Sequence, residues 1–308
     1  MILPTGRPIE IAAGRTRAVI GTVAAVLRSL VIDGVAASEP TPAAAAPRFA
    51  SGIVLSPWPN RVGDGRWVLD GEEQQLVITE PDRQNAIHGL LRYADYEVRE
   101  RTEDSVLLGA VIPPQPGWPA LVDTWVEYRA LPDGLRVRHG AVNLSSFATP
   151  YALGAHPFLR IGDAPVEDLR LTVHASTRFE TDARLLPIGE RPVDDTVYDL
   201  RAGVRVGDVA GRLDTAFGGV RHRPGGEVAR LEDPASGLRL ALHQDLAWRY
   251  LQVFTPTAFP AADGSSRLAV ALEPMTAPPD ALRSGEGLVR LEPGGRWAGG
   301  WALRLGRS

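Results

Sequence analysis

The feature of this sequence that most constrains its fold is the regular interruption of short apolar runs by glycine and proline. The 308 residues include 32 glycines and 26 prolines, and the runs between them alternate or are rich in β-branched residues, as in DTWVEYRAL, GLRVRHGAVNL and WRYLQVFT. Short strands with turn residues roughly every ten positions are typical of β-sandwiches and barrels. The sequence therefore predicts an all-β chain with room for only short helices, one of them around 280–284.

Two hairpins and one loop can be predicted from local sequence. In RWVLDGEEQQLVI the Asp-Gly pair lies between alternating runs, and in LEDPASGLRLAL the DPASG segment makes the turn. The segment EPTPAAAAPRF (39–49) is predicted to be a loop, because its prolines exclude a continuous helix. No shift in composition marks a boundary, so residues 1–308 are predicted to form a single domain.

Composition excludes several kinds of chemistry. The chain has no cysteine, which excludes disulfides, thiol nucleophiles and thiolate metal sites. All 33 basic residues are arginine, and the absence of lysine excludes Schiff-base chemistry with a pyridoxal cofactor. A net charge of −4 without a basic stripe argues against a nucleic-acid partner. No apolar stretch has the length of a bilayer span, so we expect a cytoplasmic protein with no membrane contact.

Isolated polar residues occur where the predicted strands end. His156 and Glu273 both directly precede proline, in GAHPF and LAVALEPM. A residue before proline is driven into an extended conformation, which fixes the direction of its side chain more tightly. A fixed direction suits a catalytic side chain that must point at its substrate, and it equally suits a residue at a structural corner. The other polar residues of this kind are Asn60, Arg61, His88, Asp214 and Gln252.

Each of these residues also has a structural interpretation. Glu273 could be a buried ion-pair partner of Arg61, and Asp214 could be a turn residue. Arg92 could cover an apolar face with its stem. Tryptophans are core residues more often than ligand platforms, which applies here to Trp58, Trp67 and Trp118.

A metal site is a further alternative. His88, His156 and Glu273 could form a facial ligand set. None of them has the spacing of HExxH or a similar motif. The residues alone therefore indicate a pocket with one acid, two histidines and an arginine.

Taken in order, these segments resemble the aldose 1-epimerase (galactose mutarotase) family. PWPNRVGDGRW resembles its N-terminal signature, in which an Asn-Arg pair is followed by glycine and an aromatic residue. NAIHG, PGWP, GAHPF, LDTAF, LQVFTP and ALEPMTAPPDAL follow in the expected order, so that the resemblance runs from about residue 50 to 283. It implies a large antiparallel β-sandwich, no cofactor, and a free aldose such as glucose or galactose as the small-molecule partner.

The resemblance also implies roles for single residues. Glu273 would be the general base and His156 the general acid that interconvert α and β anomers by opening the sugar ring. We add Trp118 as a candidate for packing against the C–H face of a sugar, whereas Arg92 has no role that the family supplies. The residues expected to bind sugar hydroxyls are Asn60, Arg61, His88, Asp214 and Gln252.

Two other functions remain open at this point. An enzyme of the same architecture acting on a hexose 6-phosphate would need two or more converging arginines, for which Arg61 and Arg92 are the candidates. A non-catalytic carbohydrate sensor on the same fold would have little need of both proton-transfer groups. The sequence does not indicate an oligomeric state.

Overall fold

The computed structural model describes residues 3–42, 44–261 and 264–307. The strands begin, in chain order, with β1 Pro8–Ala13, β2 Thr16–Gly21, β3 Leu27–Ile32, β4 Val35–Ala36, β5 Val54–Leu55, β6 Arg61–Gly63, β7 Arg66–Leu69, β8 Glu72–Gln75, β9 Asn85–Ile87, β10 Glu97–Arg101, β11 Ser105–Ile112, β12 Val122–Leu131, β13 Gly134–Asn143, β14 Thr149–Tyr151 and β15 Gly154–Ala155. They continue with β16 Phe158–Leu159, β17 Arg170–Val173, β18 Thr177–Thr181, β19 Pro187–Pro192, β20 Val204–Arg205, β21 Asp214–Gly218, β22 Glu227–Asp233, β23 Leu238–Gln244, β24 Tyr250–Phe254, β25 Phe259–Pro260, β26 Ser266–Arg267, β27 Val270–Met275, β28 Val289–Leu291 and β29 Arg296–Arg307. The helical segments of the described residues are α1 Ala281–Ser284 and 3₁₀ turns at Arg48–Ala50, Pro81–Arg83, Val166–Asp168, Val206–Val209 and Pro224–Gly226.

Two large antiparallel sheets carry most of these strands. The first has the order β10-β11-β12-β13-β29-β23-β22-β17-β20. The second has the order β19-β18-β21-β24-β27-β15-β5, with β16 also paired to β27, and a smaller sheet has the order β1-β2-β3-β4. Apolar side chains of both large sheets share one core, for example Val126 and Leu240 of the first with Leu251 and Leu272 of the second. The all-β prediction is confirmed, as is the antiparallel sandwich that the resemblance implied.

Alternation along β24 and β27 decides which side chains leave this core. Leu251, Val253 and Leu272 belong to the core cluster. Successive side chains of a strand point to opposite faces of the sheet, so Gln252 and Glu273 lie on the face turned away from the core. The two residues are direct partners in the β24–β27 ladder. The face of β27 that carries Glu273 also carries Ala271 and Met275, which belong to two smaller buried clusters.

The local predictions hold where the structure describes them. The first hairpin joins β7 to β8 through Asp70 and Gly71, both at positive φ, as a tight Asp-Gly turn requires. The second joins β22 to β23, and the helix near 280–284 begins at Ala281. Within 39–49, position 43 lies outside the described residues, and a 3₁₀ turn starts at Arg48. No helix in the described part of the chain is long and apolar enough to cross a membrane.

Candidate active site

Glu273 lies on the central strand β27, beside Gln252. Only 2% of its surface is exposed, and its Oε2 atom has no hydrogen-bond partner among the described residues. Burial raises the pKa of this carboxyl well above its usual value, and the nearby Asp214 carboxylate adds to the shift, whereas Arg61 opposes it. An uncompensated buried acid is costly, and groups shifted in this way occur preferentially at functional sites.

His156 is held against Glu273 by its own backbone. Its N–H donates to the carbonyl of Ile53 and its carbonyl accepts from the N–H of Gly52, at 3.1 and 2.8 Å. The imidazole stacks on the ring of Phe158, with centroids 5.3 Å apart. Its Nε2 atom lies 3.4 Å from Oε1 of Glu273. The two residues that the resemblance implied as acid and base are therefore adjacent.

Burial shifts the pKa values of this pair in opposite directions. It lowers the pKa of His156 to about 3, with the positive charges of Arg92 and Arg61 acting in the same direction. It raises the pKa of Glu273 above its usual value. The buried surroundings therefore favour the protonated carboxyl and the neutral imidazole.

His88 lies on the other side of His156. Its ring meets the His156 ring edge to face, with centroids 5.4 Å apart, and its backbone N–H donates to the carbonyl of Asn60 at 2.9 Å. Burial lowers the pKa of His88 well below its usual value, and the neighbouring positive charges add to this. The following Gly89 has a φ of +75°, and a Cβ there would come within 2.1 Å of the carbonyl oxygen of Ser56. Only glycine fits this turn, which explains the His-Gly dipeptide.

Arg61 is fixed by an acid that the sequence analysis did not identify. Its Nε and Nη2 atoms donate to the two carboxylate oxygens of Glu80, at 2.9 and 3.1 Å. Burial by itself would raise the pKa of Glu80, but hydrogen bonds from Arg61 and Asn85 outweigh it and hold this pKa below its usual value. The Asn60 carboxamide oxygen accepts from the backbone N–H of Arg61 at 2.9 Å. One signal was available, since Glu80 precedes a proline as Glu273 does.

Asp214 and Gln252 form the remaining polar edge of the site. The Nε2 atom of Gln252 donates to Oδ1 of Asp214 at 2.5 Å, and Oδ2 of Asp214 lies 3.7 Å from Nη2 of Arg61. The Asp214 side chain is 31% exposed, against 9% for Arg61 and 3% for Glu273, so the site opens to solvent at Asp214. The Oε1 atom of Gln252 is buried without a hydrogen-bond partner among the described residues. It is an acceptor that a hydroxyl could satisfy.

Trp118 does not lie where a sugar platform is needed. Its surface is fully buried, and its ring packs between those of Trp58 and Trp67, with centroid distances of 6.2 and 5.6 Å. A ring enclosed in this way presents no face to a ligand, so the expected stacking role does not fit this position. The structural interpretation of the three tryptophans as core residues describes them correctly.

The described residues contain no cluster of side chains that supports the alternative of a metal site. No group of three or more His, Asp or Glu side chains in the described ranges is arranged to hold a metal ion. Among His88, His156 and Glu273, the two histidine rings pack edge to face, and Nε2 of His156 lies 3.4 Å from Oε1 of Glu273.

Comparison with known proteins identifies the family. The family model described as aldose 1-epimerase matches residues 8–304, which is nearly the whole chain. The chain belongs to the aldose 1-epimerase family.

This aldose 1-epimerase family member has several similar relatives. It is 30% identical over 293 residues to the uncharacterized protein YihR of Escherichia coli K12, covering 94% of this chain and 90% of that protein. It is 29% identical over 163 residues to galactose mutarotase of Sus scrofa, which covers 51% of this chain and 46% of the mutarotase.

Solved structures show the same architecture. A galactose mutarotase-like protein from Clostridium acetobutylicum superposes with a TM-score of 0.84 at 20% identity, covering 98% of this chain and 95% of that one. A galactose 1-epimerase from Lactobacillus acidophilus NCFM gives a TM-score of 0.81 at 19% identity, covering 98% and 94%. At these identities the structural likeness shows the fold alone.

The ion pair of Arg61 and Glu80 leads to a first prediction. Glu80→Gln replaces one of the two carboxylate oxygens that accept from the guanidinium with an amide NH2 donor, so we expect it to lower the free energy of unfolding by about 1–3 kcal/mol. Denaturant unfolding measures the loss. The matched control is Glu73→Gln, since Glu73 lies 3.9 Å from Arg66 on an exposed hairpin. It should change the free energy of unfolding by no more than about 0.5 kcal/mol. Equal losses in the two variants would contradict the stabilising role of the Arg61–Glu80 ion pair.

Proposed function

We propose that this protein is an aldose 1-epimerase that interconverts the α and β anomers of a reducing sugar. The observation that carries the proposal is the buried pair of His156 and Glu273, with Nε2 and Oε1 3.4 Å apart. The anomeric hydroxyl oxygen and the ring oxygen of a sugar are bonded to the same carbon. An acid and a base this close can therefore reach both oxygens of one sugar.

The reaction needs two coupled proton transfers. The Glu273 carboxylate accepts the proton of the anomeric hydroxyl while the His156 imidazolium donates a proton to the ring oxygen, and the bond between C1 and the ring oxygen breaks. The aldehyde turns about its C1–C2 bond, and the ring closes as both protons return. No electron or group leaves the sugar. General acid and base groups placed in this way are each typically worth about 10²–10⁴-fold.

The surrounding polar groups suit the binding of hydroxyls. Arg61 is held rigidly by Glu80, and Asp214 and Gln252 already form a hydrogen-bonded pair at the open edge. The buried and unpaired atoms Oε1 of Gln252 and Nδ1 of His88 offer one acceptor and one further nitrogen. Guanidinium, carboxylate and amide groups together supply donors and acceptors in the mixture that a polyhydroxylated ring requires.

Polarimetry tests the proposal directly. Pure α-glucose and α-galactose, and then a panel of other hexoses and pentoses, are dissolved with and without the protein, and the approach to equilibrium is followed. We expect acceleration that is proportional to protein concentration for at least one reducing sugar. A carbohydrate sensor would bind a sugar and leave every spontaneous rate unchanged, and that result would overturn the proposal.

The proposal that Glu273 and His156 share a single proton also predicts the pH dependence of kcat/KM. The pair gains a second proton only near the lowered pKa of His156, about 3, and loses its single proton only above the raised pKa of Glu273. We therefore expect the catalysed rate, after subtraction of the spontaneous one, to persist on acidification through the ordinary imidazole pKa of about 6.5. The alkaline decline should lie above the ordinary glutamate range. A loss of activity on acidification that is centred near the ordinary imidazole pKa would contradict the shared-proton state.

A further inference from the structure

The outer face of the first large sheet carries a cavity, whereas β24 and β27 of the candidate active site belong to the second large sheet. Val126 and Tyr128 of β12 point into the core, so alternation turns Trp125 and Glu127 to the opposite face. The cavity lies over β10, β11 and β12 and has a volume of about 280 Å³, close to the lower limit of about 300 Å³ for typical small-molecule sites. Its lining includes Arg99, Glu100, Trp125, Glu127 and Arg129.

Two glycines determine how Trp125 lies on this face. Gly109 of β11 and Gly140 of β13 are its direct cross-strand partners. A Cβ atom at position 140 would collide with the indole, so the ring lies across β13 at a place that only glycine leaves free. The side chain is partly exposed and borders the cavity. An aromatic ring supported in this way on one side can pack its other side against a ligand.

Arg99 is turned onto the same face by an irregularity of the edge strand. The β10–β11 pairing contains a bulge between Val98 and Glu100, and bulges at sheet edges re-aim side chains. The guanidinium lies over Gly109, where a Cβ atom would collide with it. Its Nη1 atom donates to Oδ2 of Asp123 at 2.9 Å, and its Nη2 atom donates to Oδ1. The two glycines therefore make room for an arginine and a tryptophan beside one cavity.

The two arginines of the lining are neutralised within the protein. Nη1 of Arg129 donates to Asp104 at 2.8 Å, and Nη2 donates to Glu127 at 2.9 Å. Arg99 is paired in the same way with Asp123. Neither guanidinium therefore needs an anionic ligand, but both keep N–H groups, and the carboxylates keep lone pairs, that can bond to hydroxyls. Planar hydrogen-bonding groups beside an aromatic face suit a neutral ring with hydroxyls on its rim and C–H groups on its faces.

We propose that this cavity is a second carbohydrate site, which binds a neutral pyranose with one C–H face on Trp125 and with hydroxyls on Arg99 and Glu127. The inference does not depend on the epimerase function. None of the described residues that line the cavity is a histidine, so the cavity lacks an imidazole that could pair with a carboxyl as His156 does with Glu273. We therefore expect binding at this place without opening of the sugar ring.

The test uses protein in which the seven tryptophans carry a fluorine label. The fluorine NMR signal of Trp125 is assigned by its absence from Trp125→Phe. Methyl glucoside and methyl galactoside are the probes, because a glycoside has no free anomeric hydroxyl and cannot be epimerised. We expect the Trp125 signal to shift saturably with a Kd on the order of 1 mM, the affinity usual for a ligand of this size. Arg99→Gln should weaken binding by about tenfold or more, since a hydrogen bond to a charged group is worth that much.

Arg296→Gln is the control, because it replaces an exposed arginine of the same sheet that does not line the cavity. It should leave the Kd unchanged. A Trp125 signal that does not move, that moves without saturating, or that saturates equally in Arg99→Gln would overturn the proposal. A tighter Kd for methyl glucuronoside than for both neutral glycosides would overturn the assignment of a neutral ligand. These measurements report binding at one tryptophan, so their outcome is independent of whether polarimetry finds epimerase activity.

Discussion

Glu273→Gln is expected to reduce kcat by at least about 10²-fold while the sugar still binds. The amide keeps the shape of the side chain and can still occupy its place beside His156. It can neither hold the shared proton nor accept one from the anomeric hydroxyl. Polarimetry gives the loss of turnover, and calorimetric titration with the preferred sugar shows whether binding persists.

The same substitution should leave the fold at least as stable. Because the folded pKa of Glu273 is raised, ionisation opposes folding, and the wild-type protein loses stability as pH rises from the ordinary glutamate pKa towards the folded value. The amide removes this titration. We therefore expect Glu273→Gln to match the wild type at acidic pH and to exceed it in unfolding free energy at neutral and alkaline pH. Thermal unfolding at several pH values measures the difference.

A matched control tests whether the effects of Glu273→Gln come from its buried carboxyl group or from its position before a proline. Glu292 also precedes a proline, but its side chain is 68% exposed on the surface. Glu292→Gln should leave both kcat and the free energy of unfolding close to the wild-type values. A near-normal rate in Glu273→Gln would refute its role in proton transfer. A large loss of stability in that variant would show instead that the carboxylate is structural.

Trp118→Ala should lower the free energy of unfolding by about 3–5 kcal/mol. The side chain is fully buried between Trp58 and Trp67, so its removal leaves a cavity that rigid neighbouring rings fill poorly. Denaturant unfolding measures the loss. The control is Trp125→Ala on β12, where the ring is only half-buried and the cost should be clearly smaller. At temperatures where Trp118→Ala is folded, the affinity for sugar should stay close to that of the wild type. If Trp118→Ala were as stable as the wild type but had lost its affinity for sugar, Trp118 would pack against the sugar as the sequence analysis predicted.

Much of the architecture could be predicted because its signals are local. Alternating runs, the Asp-Gly turn at Asp70 and the short helix after the prolines at 278–279 each depend on residues within a few positions of one another. Strand formation and turn type follow from such short-range preferences.

The candidate site was predictable only through the order of its segments. Family resemblance named His156 and Glu273 together. Their contact, however, depends on the pairing of β15 and β16 with β27 and on the backbone hydrogen bonds of His156 with Gly52 and Ile53. No local pattern encodes such a contact. The roles of these residues in catalysis remain predictions that the experiments above test.

By itself, then, the sequence determined the all-β class, the hairpins and the membership of His156, Arg61 and Glu273 in one ordered set of motifs. Tertiary structure alone decided that Trp118 is enclosed in the core and that Glu80 holds Arg61. It also decided that the Nε atom of Arg92 is buried without a hydrogen-bond partner among the described residues. The physical reason is that burial and charge pairing depend on residues far apart in the chain, whereas strand and turn preferences depend on neighbours. The same burial moves the pKa values of the acid and the imidazole in opposite directions.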